Sequence, residues 1–263
     1  MTAYTKTFRF LRLPSPQTDP ARWRELIRKH WSVGLDRWVK PPYVPQAELQ
    51  RLLERDMPEL LPDYQALVGA LPEWGPAGPQ LIANYNLTPF FQGCSVTMSR
   101  AAGRPTLLRN YDLGIDDHNG IFQRETLPDG HWILGSAEGA WGYLDGVNSR
   151  GLAATITFGG RFTAFVGWSI PILMRYILAT CATAAEASAF LQRVPHRLAQ
   201  NFLFVDRQGG SAVVYASGDL GVTVLPGAIA CTNHQAKVHV PGHAAFVRTV
   251  ERLNHLEQAA GGL

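Results

Sequence analysis

The residues whose types and spacing invite chemistry lie in "GCSVTMSRAAGRPTLLRNYDL", residues 93 to 113. Cys94 follows a glycine and opens a short apolar run. Gly103 to Pro105 supply a turn, and a second run ends with Arg109 and Asp112. Read as a hairpin, the return strand sets a guanidinium and a carboxylate roughly opposite the thiol. The thiolate is the reactive form of cysteine, and a nearby cation lowers its pKa from about 8.5. The opposing reading is a core thiol, because free cysteine is among the most buried residue types, with Arg109 and Asp112 as an ordinary surface pair. Spacing alone leaves both readings open. A Cys-His pair using His234 is a further alternative, although the signature around papain-type cysteines is absent. His239 and His243 stand four apart, but the intervening Val-Pro-Gly forbids the helix that would aim both rings at a metal, so no metal site is expected. Asn148, beside Ser and ahead of Gly, reads as a turn residue. Arg175, among apolar helix neighbours, reads as half of a buried salt bridge, and Cys181 and Cys231 read as small core residues.

These residues need elements to hold them. Residues 19 to 71 carry helical periodicity: Asp19 is an N-cap, Pro20 takes the first helical position, and Trp23, Leu26, Ile27 and Trp31 follow at helical spacing. Leu49, Leu52, Leu53 and Met57 make the apolar face of a second helix, and "PDYQALVGAL" a third, shorter one. The stretch "LPEWGPAGPQ", with three prolines and two glycines, reads as a boundary. Beyond it the texture is that of strands: "GCSVTMSR", "PTLLRNYDL", "HWILGS", "GLAATITFGG", "NFLFVDR", "SAVVYAS", "GVTVLPG" and "AIACTNH" are rich in β-branched and aromatic residues and separated by turn formers. A helical pair over 171 to 192, with Pro171 opening the first helix and Thr183 capping the second, divides them. Helices and strands segregated in this way predict layers of helix on antiparallel sheet.

Composition narrows the function. A chain of 263 residues, 46% hydrophobic and 17% charged, can bury one sizeable core. A formal charge of +3, with no clustered Lys and Arg, argues against a nucleic-acid surface. Three cysteines without a CxxC pair are no disulfide framework. The N-terminus has no apolar signal core, and the most apolar later stretch contains Pro171 and Arg175, so a cytoplasmic protein off the membrane is expected.

Several stretches agree jointly in order with one family. From Gly93 to about Arg248 the chain resembles the cysteine N-terminal nucleophile (Ntn) hydrolases, and among them the penicillin acyltransferase family, with choloylglycine hydrolase and acid ceramidase more distant. The resemblance rests on "GCSV" with "LLRNYDLG", then "DGVNSRGLAATITFGG", "IPILMRYILATCATAAEASAFL", "NFLFVDRQGGSAVVYAS" and "IACTNHQ". It implies a four-layer αββα sandwich of the α+β class. It also implies self-cleavage at Gly93-Cys94, so that 1–93 is a helical N-terminal pro-segment of a zymogen and 94–263 the catalytic domain. The exposed α-amine of Cys94 is then the base for its own thiol. Asp112 is expected to hold that amine, Arg109 to favour the thiolate, and Asn233, in the Thr-Asn step, to donate to the oxyanion.

The implied activity is a linear-amide hydrolase or acyltransferase working on a small-molecule acyl amide or thioester. It needs no cofactor, admits an acyl-coenzyme A co-substrate, and is compatible with a homo-oligomer or with cleaved fragments that stay associated. Three departures qualify the resemblance. "TITFGG" lacks the second oxyanion asparagine of the choloylglycine relatives. Tyr215 stands where a glutamate is frequent. Family members usually continue many tens of residues past "HAAFVRTVERLNHL", where Arg248 is the nearest match to their arginine, so the catalytic domain is expected to be incomplete. The rival function is a catalytically silent family member that keeps the layers as a binding or scaffold protein.

Overall fold

The computed structural model describes residues 6–31, 35–89, 91, 93–100, 104–112, 114 and 119–261. In chain order it begins with β1 (Arg9–Pro14), α1 (Pro20–Trp31), α2 (Leu35–Trp38), α3 (Gln46–Asp56), α4 (Leu61–Ala70) and α5 (Ala77–Ala83). Six strands follow: β2 (Gly93–Ser99), β3 (Thr106–Asp112), β4 (Ile121–Thr126), β5 (Trp132–Glu138), β6 (Gly142–Asn148) and β7 (Leu152–Phe158). Then come α6 (Ile170–Thr180), α7 (Ala184–Leu191), β8 (Gln200–Asp206), β9 (Ser211–Ser217), β10 (Gly221–Pro226), β11 (Ala230–Cys231), α8 (Pro241–Phe246) and α9 (Thr249–Gly261). They divide into two compact units.

The first unit comprises residues up to 89 together with 114–149 and 167–180. β1 pairs in parallel with β4, and β4, β5 and β6 continue as antiparallel neighbours. Helix α6 packs on β5 and β6, while α1, α3, α4 and α5 pack among themselves. Asp19 caps α1 as expected, its Oδ1 accepting from the Arg22 N–H at 3.0 Å. The Pro/Gly stretch is not a break: α5 starts inside it. Pro79 is tolerated there because a first-turn N–H has no intrahelical partner to lose, and Gly78 packs so closely on Trp74 that an added Cβ would come within 2.8 Å of it.

Arg175 lies at the centre of this unit, fully buried as its apolar neighbours imply. It donates to Glu125 Oε2 at 2.7 Å, to Asp63 Oδ2 at 3.3 Å and to the Trp141 carbonyl at 2.8 Å. Its guanidinium carbon also lies 4.2 Å from the Trp141 ring centroid. Burial works against the charge of Arg175, but Glu125 and Asp63 outweigh it and raise its pKa.

The second unit comprises residues 90–113, 150–166 and 181–263. β7, β8, β9 and β10 form one antiparallel run, and β11, β2 and β3 another. Val96, Met98 and Cys231 from the three-stranded sheet meet Leu203, Val205 and Val213 from the run that contains β8 and β9 in a buried cluster. Alternation sends Phe202 and Phe204 to the other face of β8, where α7 packs; α9 packs on β2 and β11. The layers are therefore α7, sheet, sheet and α9, an αββα sandwich. Thr183 caps α7 in a capping box with Glu186. Among the described residues no helix is long and apolar enough to cross a membrane.

Candidate active site

The hairpin forms in the register that the sequence suggests, with Gly93 opposite Asp112, Cys94 opposite Tyr111 and Val96 opposite Arg109. The Gly103 end of its turn lies outside the described residues. Period-two alternation decides which groups share a face. Cys94, Val96 and Met98 point between the sheets and are buried. Arg109 stands diagonally across from Cys94 on that face, and its Nη2 is 3.4 Å from Sγ. The guanidinium rests on Tyr111, 4.1 Å from the ring centroid. Gly93, Ser95, Asn110 and Asp112 face α9.

Asn233 reaches Cys94 across 139 positions: its Oδ1 accepts the Cys94 backbone N–H at 3.0 Å. The segment carrying it is clamped, because the Thr232 carbonyl accepts from Thr157 Oγ1 at 2.6 Å and from Asn201 Nδ2 at 2.8 Å. Asn201 Nδ2 also bonds the His234 carbonyl at 3.0 Å. Gly160, at φ 78°, lets this segment come close, since a Cβ there would meet the Asn233 carbonyl oxygen at 2.5 Å. The orientation of the Asn233 amide differs from the expectation. Its oxygen faces Cys94, while Nδ2 donates to the Phe158 carbonyl at 3.3 Å. The reason is that two donors converge on Oδ1, the Cys94 N–H and Arg252 Nη2 at 2.7 Å. In the intact chain Asn233 thus holds the nitrogen of Cys94.

Asp112 lies across from Gly93 rather than on the Cys94 nitrogen. A Cβ added to Gly93 would sit 2.7 Å from its Oδ2, so glycine is what lets this carboxylate lie against the strand. Arg252 is the residue that sequence reasoning missed. Its Nη1 donates to the Cys94 carbonyl at 3.0 Å, to Ser95 Oγ at 2.6 Å and to Asp112 Oδ2 at 3.4 Å. Arg248, the nearest match by sequence, is exposed, sits just ahead of α9 and has φ 50°. A signal existed: Thr249, Arg252, Leu253 and Leu256 follow the i, i+3, i+4, i+7 spacing of a helix face, and these are the more covered positions of α9. Thr249 fixes that helix, its Oγ1 donating to Thr232 Oγ1 at 2.9 Å and its carbonyl accepting from Thr232 Oγ1 at 2.7 Å.

Burial pushes the Cys94 thiol above the ordinary cysteine value near 9.0, with Arg109 and Arg252 pulling it down and Asp112 pushing it up. Arg109 therefore acts in the expected direction, but desolvation outweighs it in the intact chain. His234 Nδ1 bonds Thr249 Oγ1 at 2.9 Å and its pKa is lowered by burial, so its ring is engaged with α9. Among the described residues no group of three or more His, Cys, Asp or Glu could hold a metal. His239 precedes α8 and His243 lies within it, as the Val-Pro-Gly break requires.

A cavity of about 550 Å³ opens beside this constellation. Gly93, Asp112 and Arg252 line it together with Phe91, Phe162, His243 and Phe246. Its apolar wall is a ring cluster in which Phe158 and Phe162 lie 5.1 Å apart and His243 meets Phe162 edge-on at 5.0 Å. Aromatic pairs of this kind contribute about 0.5–1.5 kcal/mol each beyond their buried area. The volume is within the range of small-molecule sites, about 300–1,000 Å³.

The family model described as acyl-coenzyme A:6-aminopenicillanic acid acyl-transferase matches residues 99–261. That span contains Arg109, Asp112, Asn233 and Arg252, and begins just after Cys94. No curated protein is significantly similar to the chain. Among solved structures, penicillin V acylase from Agrobacterium tumefaciens is similar at 17% identity over 59% of this chain and 48% of that one, with a TM-score of 0.35. A variant of conjugated bile acid hydrolase from Clostridium perfringens is similar at 12% identity over 60% and 49%, with a TM-score of 0.33. The chain spans about half the length of these structures.

Proposed function

The chain belongs to the acyl-coenzyme A:6-aminopenicillanic acid acyl-transferase family, and from that premise we propose that it is a self-processing linear-amide hydrolase or acyltransferase whose nucleophile is Cys94. The observation that carries this reading is the hydrogen bond from the Cys94 nitrogen to Asn233 Oδ1 at 3.0 Å, made while Arg109 approaches the sulfur of the same residue. Any buried backbone N–H needs an acceptor, so the weight lies in the combination: the acceptor is an asparagine 139 positions away, it meets the one nitrogen that cleavage would turn into a base, and a guanidinium meets the sulfur of the same residue.

The sulfur first opens the Gly93-Cys94 bond, and the freed amine, with an ordinary pKa near 8, remains on Asn233. On an external substrate the amine takes the thiol proton as sulfur adds to the acyl carbon, then returns it to the leaving nitrogen. Arg109 stabilises the thiolate, and Arg252 ties Asp112, Asn233 and the Cys94 carbonyl into one frame, so that the reacting atoms need no search for alignment. Water completes hydrolysis and an amine completes transfer. A thioester is opened by the same attack, with the proton returned to a leaving thiol in place of a nitrogen, so an acyl-coenzyme A could serve as donor. A Cys-His mechanism is disfavoured by the engagement of His234 with Thr249.

Intact-mass measurement tests the reading. Purified protein is expected as two fragments separated at Gly93-Cys94, and Cys94→Ala as one uncut chain without acyl-transfer activity. Wild-type protein that stays whole and inactive would instead support the silent binding protein.

A further inference from the structure

Phe91 stands two residues ahead of the Gly93-Cys94 bond, and its ring completes the aromatic wall of the neighbouring cavity. The centroid lies 5.0 Å from Phe158 and 5.0 Å from Phe162. The cavity thus has a polar end at Gly93, Asp112 and Arg252 and an apolar end already touched by a side chain from before the cleavage point. We propose that this cavity is the acyl site and that Phe91 is its built-in occupant, first as part of the acyl group of the chain's own cleavage and afterwards as an inhibitory tail. The inference rests on the self-processing reading above.

Bond accounting in the cleavage leads there. Sulfur adds to the Gly93 carbonyl carbon, the Gly93-Cys94 C–N bond breaks, and the thiol proton ends on the freed amine. The product is a thioester between Gly93 and Sγ, which one water converts to the Gly93 carboxylate and the free thiol. That thioester is an acyl-enzyme whose acyl chain runs back through Gly93 and Gln92 to Phe91. Any external acyl group esterified to the same sulfur must leave by the same direction, so it meets the wall that Phe91 meets.

Cleavage frees the Gly93 end but does not release the tail. The Thr88 N–H donates to the Trp38 carbonyl at 2.8 Å, anchoring the chain three residues before Phe91. β1, earlier in the same fragment, is hydrogen-bonded along β4 of the other. A segment tethered this closely acts at an effective concentration on the order of millimolar, enough to fill even a weak site. The new Gly93 carboxylate starts in a cavity end that holds both the Arg252 guanidinium and the Asp112 carboxylate, so the two charges oppose each other there and the ring contact carries the occupancy. Substrates must displace Phe91, which favours acyl groups with an apolar ring or chain of similar bulk.

Two measurements separate this inference from the reading beneath it. In the uncut Cys94→Ala chain, calorimetry with 3-phenylpropanamide, a neutral mimic of the Phe91 side chain, is expected to show binding at least tenfold tighter once Phe91→Ala is added. This arm needs no cleavage. In the self-cleaving chain, Phe91→Ala is expected to raise kcat/KM for an N-acyl amide about tenfold, as a millimolar internal competitor is removed. Added Thr-Pro-Phe-Phe-Gln-Gly should restore inhibition competitively, and Thr-Pro-Phe-Ala-Gln-Gly should not. Phe91→Leu, which keeps apolar packing, should move both readouts the same way by less. Unchanged probe binding in the first arm, or unchanged kcat/KM with an inert peptide in the second, overturns the proposal. Improved probe binding on adding Phe91→Ala, together with a wild-type chain that never cuts, would retain Phe91 as occupant and overturn its role as an acyl group.

Discussion

Arg175 and Arg252 each gather oxygen acceptors around one guanidinium, yet the two surroundings differ in a way that separates holding a fold from preparing a reaction. In the first unit Arg175 is 0% exposed, Glu125 0% and Asp63 5%, and the acceptors come from α4, β4 and the Trp141 backbone. That charge is sealed. In the second unit Arg252 is 25% exposed and Asp112 41%, and the acceptors are the backbone and neighbours of the cysteine itself. A sealed pair resists change because either partner, left alone, is an uncompensated charge in low dielectric. A half-open pair can exchange partners when a carboxylate or an amine appears beside it, as cleavage next to Cys94 requires.

The comparison breaks most readily at Arg175. Arg175→Met is expected to destabilise the protein by about 3–5 kcal/mol, because Glu125 and Asp63 stay buried without their cation. Urea unfolding measures it. A variant within about 1 kcal/mol of the parent would show that the network relaxes, and would erase the distinction between the two arginines.

Arg252→Lys sharpens the other side. Lysine keeps the charge but cannot reach Cys94, Ser95, Asp112 and Asn233 at once with a planar fork. Stability should change by less than about 1 kcal/mol, as for partly exposed pairs. Cleavage and turnover should fall on the order of a hundredfold, the cost of misplacing a reacting group by about an ångström. A stability loss as large as that of Arg175→Met, with chemistry intact in the folded fraction, would make Arg252 a structural residue.

The same contrast explains what the sequence could reveal. β2 and β3 are legible because alternation and a turn signal coincide, and Arg175 because a lone arginine in an apolar helix must find acids. The identity of those acids was not legible: Asp63 and Glu125 are 112 and 50 positions away, in different elements. β1 was missed because "RFLRLP" mixes charge into its alternation and leaves Phe10 76% exposed, so no buried face announces it. β4 and β6 escaped too, "IFQRET" and "GYLDGVN" carrying too many polar or glycine residues to read as apolar strands. α5 was hidden by Pro/Gly composition that a helix's first turn tolerates. Cys94, Arg109 and Asn233 were found from motif order, but the amide orientation of Asn233 depends on Arg252, and the choice between Arg248 and Arg252 depends on where α9 begins.

The smallest expected effect concerns Arg109, which differs from both other arginines in having the sulfur itself as a partner at 3.4 Å. In the intact chain burial already holds the Cys94 thiol above 9.0, with Arg109 opposing that rise. Because the thiolate is the reactive form, self-cleavage of freshly refolded chain, followed by intact mass, should speed up as pH rises. Removing the cation in Arg109→Met disfavours the thiolate further, so the midpoint of that pH profile should move to higher pH. At a fixed pH below the midpoint cleavage is then slower. The slowed cleavage should be largely restored by raising the pH, a recovery that a merely misfolded variant would not show. A midpoint that stays in place or moves down would mean that Arg109 only packs on Tyr111, leaving Arg252 as the cation that matters to the sulfur.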